Sequence, residues 1–314
     1  MSKCLYCYDE LDAGQKDFHP ACVRKFFGTA IAPTLDYSLS QIDDLAARII
    51  VERTSLTGVQ PKLSLNLEKH RGGGRLTIVG LWGNFICKPQ SSNFRALPEV
   101  EDLTMHLAEF AHIDVVPHTL MRMADGSLCY LTRRIDRTAE GGKLAMEDMC
   151  QLSGRLTEHK YLSSYERVAK TIARFSSMPK LDVAKMMEIV ILSWLTGNND
   201  MHLKNFSLYE TDTGTMRLAP AYDLLNVAIV NPADDEELAL TLNGRKKRIA
   251  RADFISAGIT MGLFPVTVER MINKFSRLMP RMEAMIDKSL LDAGMKNSYK
   301  KLLHERLARL TSHQ

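Results

Sequence analysis

The sequence predicts an α+β protein of two lobes, a β-rich first half followed by a helix-rich second half. Two patterns carry this expectation. Leu63, Leu65 and Leu67 alternate with Ser64 and Asn66, the period of a half-buried strand. A turn at Arg71-Gly72-Gly73-Gly74 brings back a partner strand from Leu76 to Val79. From residue 146 onward, apolar residues recur at helical spacing instead, over 146–154, 164–177, 182–196 and 252–313.

The remaining elements follow in order. Residues 1–30 read as a small Cys/His unit. Residues 31–62 are irregular apart from a helical patch from Gln41 to Val51. Phe85-Ile86-Cys87-Lys88 is a short strand ending at Pro89. Pro98, Glu99 and Glu101 open a helix over 98–112, with Leu103, Leu107 and Phe110 on its buried face. Strands at 115–123 and 127–133 flank the turn Asp125-Gly126. A hairpin pairs Phe206-Ser207-Leu208 with Met216-Arg217-Leu218 around Thr213-Gly214. The expected division is 1–30, a β-rich lobe over 31–135, and an α-rich lobe over 136–314.

Composition narrows the class without naming an activity. Charged residues make up 25% and hydrophobic residues 45% of the 314, an ordinary globular balance. A net charge of +4 is too mild to argue for nucleic acid. The longest apolar run, Ile189 to Leu195, is too short to span a bilayer, and Met1-Ser2-Lys3-Cys4 opens no signal peptide. The expectation is a cytoplasmic protein without membrane contact. Its six cysteines are then thiols or metal ligands and not disulfides. The seventeen methionines, Met271, Met279 and Met282 among them, suit adaptable core packing.

The chemistry concentrates at Gly197-Asn198-Asn199-Asp200-Met201-His202-Leu203-Lys204-Asn205. Asp200 precedes Asn205 by the offset of a protein-kinase catalytic loop, and Tyr222-Asp223 follows beyond a hairpin. On this reading Asp200 is the catalytic base, and Asn205 and Asp223 offer oxygen ligands to magnesium. His202 and Lys204 stand between them, in reach of phosphate oxygens. A polar loop that merely caps helix and strand ends is the plainer alternative. Lys88 ends a strand with Glu101 on the next helix, the arrangement that grips nucleotide phosphates in kinases, or else a snorkelling surface lysine.

Three further segments stand out. Thr54-Ser55-Leu56-Thr57-Gly58-Val59-Gln60-Pro61-Lys62 can wrap a polyphosphate with the N–H groups around Gly58 and Val59, or form a surface turn. Cys4, Cys7, His19 and Cys22 follow Cys-x2-Cys-x11-His-x2-Cys, a ligand set suited to structural zinc or a small cluster of packed thiols. Arg245-Lys246-Lys247-Arg248 is a solvated hairpin tip, a basic rim or a nucleic-acid contact.

Together, the Ser55–Lys62 segment, Lys88, the Gly197–Asn205 loop and Ala221-Tyr222-Asp223 resemble the HipA family of bacterial toxin kinases, over about residues 45–305. The resemblance implies a two-lobed protein-kinase-like fold and a Ser/Thr kinase that uses ATP and magnesium. It implies Asp200 as catalytic aspartate, Asn205 and Asp223 as magnesium ligands and Lys88 as the ATP-contacting lysine. His202 and Tyr222 would line the nucleotide site, with Ser55 the autophosphorylated serine and Thr57 a second such hydroxyl. The targets implied are aminoacyl-tRNA synthetases.

Two departures qualify the match. Longer relatives carry an N-terminal subdomain ahead of the glycine-containing loop, where this chain has its Cys/His unit. The chain therefore resembles the short, HipT-like branch, in which a separate small HipS-like protein supplies that subdomain. There a helix-turn-helix antitoxin binds DNA, so DNA contact is indirect. Arg133 and Ile135 stand where longer relatives have an acid and an aromatic. The competing function classes are a catalytically silent subunit of a DNA-bound repressor complex and a small-molecule kinase.

Overall fold

The computed structural model describes residues 2–42, 44, 62–70, 73–80, 82–138 and 142–312. Ser55, Thr57, Gly58 and Val59, and most of the patch expected to be helical from Gln41 to Val51, lie outside these residues. The fold is α+β, and the chain forms two compact units.

The first unit comprises Met1–Asp102, Val116–Ile135 and Lys288–Leu291. Its frame is an antiparallel sheet of β1 (Leu63–His70), β2 (Gly73–Ile78), β3 (Phe85–Pro89), β4 (His118–Arg122) and β5 (Leu128–Arg133). The strand order is β2-β1-β3-β5-β4. The leucine alternation sets the register: Leu65 pairs with Ile78 and Leu67 with Leu76, and Leu65 and Leu76 are fully buried. Pairing runs on to His70 opposite Gly73, so the strands enter the stretch expected to be turn. Helix α1 (Pro20–Phe27) starts on a proline and stops at Gly28, whose φ of 67° is one that glycine adopts without strain. Its Phe26 and Phe27 pack on Phe85 of β3, with ring centroids 5.9 and 6.5 Å away.

The second unit comprises Leu103–Val115, Asp136–Asp287 and Asp292–Gln314. Helix α2 (Leu97–Phe110) therefore has its first residues in one unit and the rest in the other. The second unit's sheet is β6 (Met146–Asp148), β7 (Ser207–Glu210) and β8 (Met216–Leu218). Periodicity predicted helix over 146–154, but the helix, α3, is only Met149–Leu152. Asp148 and Gln151 form a capping box at its start, which leaves Met146–Asp148 extended to pair with β7. Helix α4 (Tyr165–Phe175) is capped by Ser164. Helix α5 (Pro179–Thr196) carries charged residues in its first half and is largely apolar in its second, where Ile189 to Leu195 are buried, as suits a helix end at the centre of a core. The expected helical region 252–313 divides into α7 (Arg251–Thr260), α8 (Pro265–Lys288) and α9 (Ala293–Thr311), after the single turn α6 (Val227–Val230).

A buried carboxylate ties α5 to β8. Asp182, fully buried, accepts from Ser176 Oγ, from Nε and Nη2 of Arg217 and from the Leu218 N–H, at 2.6 to 3.1 Å. Burial alone would raise its pKa, but these donors hold it below the usual carboxylate range. No described helix is long and apolar enough to cross a membrane.

Candidate active site

Helix α5 ends at Gly197, and the loop that follows carries the candidate catalytic residues. Gly197 has a φ of 77°, and a Cβ there would lie 2.6 Å from Asn226 Oδ1 and 2.9 Å from Ala228 Cβ. Only glycine satisfies both the conformation and the space. The next residues fold back on themselves. Asn198 Oδ1 accepts from the Asp200 N–H at 3.2 Å, and the Asp200 carbonyl accepts from the His202 N–H at 2.8 Å. The same carbonyl accepts from Asn205 Nδ2 at 2.9 Å, so Asp200 and Asn205 are coupled across one tight turn.

The Asp200 side chain has a neighbour that spacing could not reveal. Tyr161 donates its hydroxyl to Asp200 Oδ1 at 2.5 Å, and burial, then the Asp200 charge, raises the pKa of that hydroxyl. The Tyr161 ring meets His202 edge-on, with centroids 5.1 Å apart. His202 is buried, which drives its pKa down to about 4 despite the nearby Asp200 charge. At neutral pH it is an uncharged ring and not a phosphate-binding cation. Its Nδ1 is buried without a hydrogen-bond partner among the described residues.

Lys204 does not point freely toward a ligand, because its Nζ lies 2.6 Å from Asp148 Oδ2, the α3 cap. Tyr222 donates its hydroxyl to the Lys204 carbonyl at 3.0 Å and lies 2.6 Å from Ser207 Oγ. Those bonds tie Tyr222 to the loop residue Lys204, and Asp223 is the next residue in the chain. The Asp223 charge is felt at His202. Asp223 has a φ of 56°, a left-handed conformation uncommon outside glycine and concentrated at functional positions. The Asp223 carboxylate and the amide oxygen of Asn205 are hard oxygen donors, the kind that magnesium takes.

The first unit holds the other predicted residues. Lys88 and Glu101 are both nearly fully buried and pair at 2.5 Å, with the ammonium 5.4 Å from the centroid of Tyr130. The snorkelling-lysine reading is thereby excluded. Next to Glu101, Asp102 accepts from Tyr8 at 2.5 Å and pairs with His118 Nδ1 at 2.7 Å. Neither partner of Asp102 was expected, since Tyr8 and His118 carry no motif. Arg133 packs over the rings of Phe26 and Phe85, at 5.7 and 6.0 Å, which accounts for a basic residue at that strand end.

The N-terminal cysteines also converge. Ligand atoms of Cys4, Cys7, His19 and Cys22 all lie within 4.8 Å of one another. Cys7 Sγ is 3.5 Å and Cys22 Sγ 3.9 Å from His19 Nδ1, and His19 Nε2 lies 3.0 Å from the Glu10 carbonyl. Burial opposes ionisation of Cys4, but backbone hydrogen bonds from His19, Cys7 and Tyr6 outweigh it and lower its pKa. Three residues of the basic run, by contrast, have acidic neighbours: Lys246 pairs with Glu236, Lys247 with Asp235, and Arg245 lies 3.8 Å from Asp253. They form a charge-paired tip.

A sheet-bearing unit with a buried lysine–glutamate pair, and a helical unit with an Asp–Asn loop and a second aspartate, define a protein-kinase-like fold. Residues 54–285 match the HipA-like C-terminal domain family, and the chain belongs to it. Two Sinorhizobium fredii proteins, named "Putative kinase Y4dM" and "Putative kinase Y4mE", are 34% and 32% identical over 63% and 64% of this chain. The chain spans about half the length of these relatives, 50% and 48%. A Haemophilus influenzae protein named "Putative kinase" is 24% identical over 82% of this chain and 81% of its own length. Among solved structures, HipA of Shewanella oneidensis, in complex with HipB and operator DNA, matches with a TM-score of 0.68 at 23% identity. That match covers 82% of this chain and 65% of HipA. The Helicobacter pylori proinflammatory kinase CtkA matches with a TM-score of 0.51 at 14% identity, over 74% of this chain and 90% of CtkA. Both are likenesses of fold.

Proposed function

We propose that this protein is an ATP-dependent protein serine/threonine kinase. The observation that carries the reading is the Asp200–Asn205 turn, closed by the hydrogen bond from the Asn205 amide to the Asp200 carbonyl. Asp200 accepts the proton of an acceptor hydroxyl as its oxygen bonds to the terminal phosphorus and the bond to the departing ADP breaks. Tyr161 holds the carboxylate in one orientation. Asn205 and Asp223 would hold magnesium, which neutralises phosphate charge when bound. Lys88, fixed by Glu101, contacts the nucleotide phosphates. Tyr222 fixes the path of the chain into Asp223. Neutral His202 packs the loop, and Lys204 contacts phosphate only if it leaves Asp148.

The finer assignments rest on the family. Gly58 and Val59 supply phosphate-binding backbone, and phosphorylation of Ser55 or Thr57 switches the enzyme off. The protein acts as the toxin of a toxin–antitoxin pair in the cytoplasm. Its partners are a helix-turn-helix antitoxin that carries the DNA contact and a small HipS-like protein. The antitoxin assignment is supported by the HipB–operator complex of the Shewanella relative. An aminoacyl-tRNA synthetase is the substrate.

Radiolabelled ATP added to the purified chain in an extract of its native cell tests the class. Label on serine or threonine of a protein supports the reading. Label confined to small molecules, or transferred to nothing, contradicts it.

A further inference from the structure

We infer that Cys4, Cys7, His19 and Cys22 bind one zinc ion, and that this site positions Lys88 by holding Tyr8 against the Asp102 carboxylate. Three sulfurs and one imidazole nitrogen gather within 4.8 Å from two short segments that are otherwise unlinked by any disulfide. Packed thiols would be expected inside the core, and α1 does pack on the sheet. Yet Cys7 and Cys22 are only half-buried, and so is His19. The phenylalanines bury that face while the sulfur atoms turn toward one another. Three thiolates at this spacing repel unless a cation sits among them, and soft sulfur with one imidazole selects zinc in tetrahedral geometry. The His19 ring bears on a backbone carbonyl through Nε2, as metal-bound imidazoles commonly do, which fixes Nδ1 as the ligand. Binding releases the thiol protons to solvent.

Tyr8 follows Cys7 directly, has a left-handed φ of 63°, and closes a turn through its N–H to the Cys4 carbonyl at 3.0 Å. That turn is the one the metal would clasp. Inside it, the Leu5 carbonyl accepts from the β4 residues Leu120 N and Thr119 Oγ1, at 3.3 and 3.2 Å. The Tyr8 ring is buried and its hydroxyl reaches Asp102 Oδ2 at 2.5 Å. Asp102 adjoins Glu101 on α2, so an anchor on one fixes the helix rotation that presents the other to Lys88. Tyr8 is thus a positioning residue, and this part rests on the nucleotide-binding role given above to Lys88.

Metal analysis of the full chain, purified without added zinc, combined with nucleotide titration of Tyr8→Phe, tests both parts. Wild type should carry about one equivalent of zinc. His19→Cys, which replaces the imidazole with a fourth thiolate, should retain the metal, whereas Cys22→Ser should lose most of it. Protein free of metal, with its thiols titratable or oxidised to disulfides, or loaded with iron or copper instead, overturns the zinc site. Tyr8→Phe should keep its zinc yet bind ATP several-fold more weakly, roughly the tenfold worth of one hydrogen bond to a charged group. Unchanged ATP affinity in Tyr8→Phe overturns the coupling. Wild type that holds zinc but binds no ATP overturns the coupling and the kinase reading while leaving the zinc site standing.

Discussion

Asn205 donates its side-chain amide to the backbone carbonyl of Asp200, five residues earlier, at 2.9 Å. The bond does two things. It fixes the turn that carries Asp200, and it sets the orientation of the Asn205 amide. The amide oxygen on the other side is an acceptor, the kind of atom a hard cation takes. With Asp223 beyond Tyr222, the second unit carries the three side chains that the proposed function assigns as one base and two oxygen ligands.

Asp223→Ala should weaken binding of Mg-ATP while leaving the weaker binding of metal-free ATP nearly unchanged. In the proposed function the carboxylate acts through the metal, so its loss should matter only with metal present. Calorimetric titration with and without magnesium reads this directly. Equal losses in both conditions would remove Asp223 from the metal.

Tyr161→Phe should lower turnover by about tenfold with little change in ATP affinity, since among the described residues the hydroxyl bonds the Asp200 carboxylate. Steady-state kinetics at varied ATP check it. A loss confined to KM would assign Tyr161 to nucleotide binding instead.

His202 gives the molecule an acid sensitivity. Its pKa falls from 6.5 to about 4 on folding because burial disfavours the charged ring. The unfolded chain therefore takes up a proton at a pH where the folded one does not. This contribution to stability is fully present above pH 6.5 and is lost as pH falls toward 4, by roughly 3 kcal/mol at most. In denaturant titrations over that window, His202→Gln should flatten the decline relative to wild type. An unchanged slope would show that His202 ionises freely in the fold.

Much of the fold is readable from the sequence, because the determining interactions there are local. The alternation of Leu63, Leu65 and Leu67 sets β1, and the largely apolar run to Leu195 sets a core helix. The Lys88–Glu101 pair was also legible, since both residues sit at characteristic places on adjacent elements. Tyr161 and Tyr8 were not. Their hydroxyls meet carboxylates 39 and 94 residues away, and no local pattern records such a contact. Met146–Asp148 misled for a different reason: three residues are too few to show a period, and the Asp148 cap decided their state.

Gly197→Ala should be among the costlier substitutions in the second unit. The added methyl would meet Asn226 and Ala228 at under 3.0 Å while forcing alanine into a left-handed backbone. The expected cost is about 1–3 kcal/mol from overpacking, with the backbone strain added. Equilibrium unfolding measures it. A neutral effect would mean that the α5 terminus relaxes easily and that the catalytic loop is less firmly held than its hydrogen bonds suggest.

The central claim is that Asp200 is the base of a phosphoryl transfer. The most direct test compares wild type with Asp200→Asn for two quantities: transfer of label from radiolabelled ATP to protein, and binding of Mg-ATP. The substitution keeps shape and hydrogen-bonding capacity but removes the proton acceptor. Transfer should fall by about 10²–10⁴-fold while binding persists. Transfer at the wild-type rate in Asp200→Asn would contradict the account.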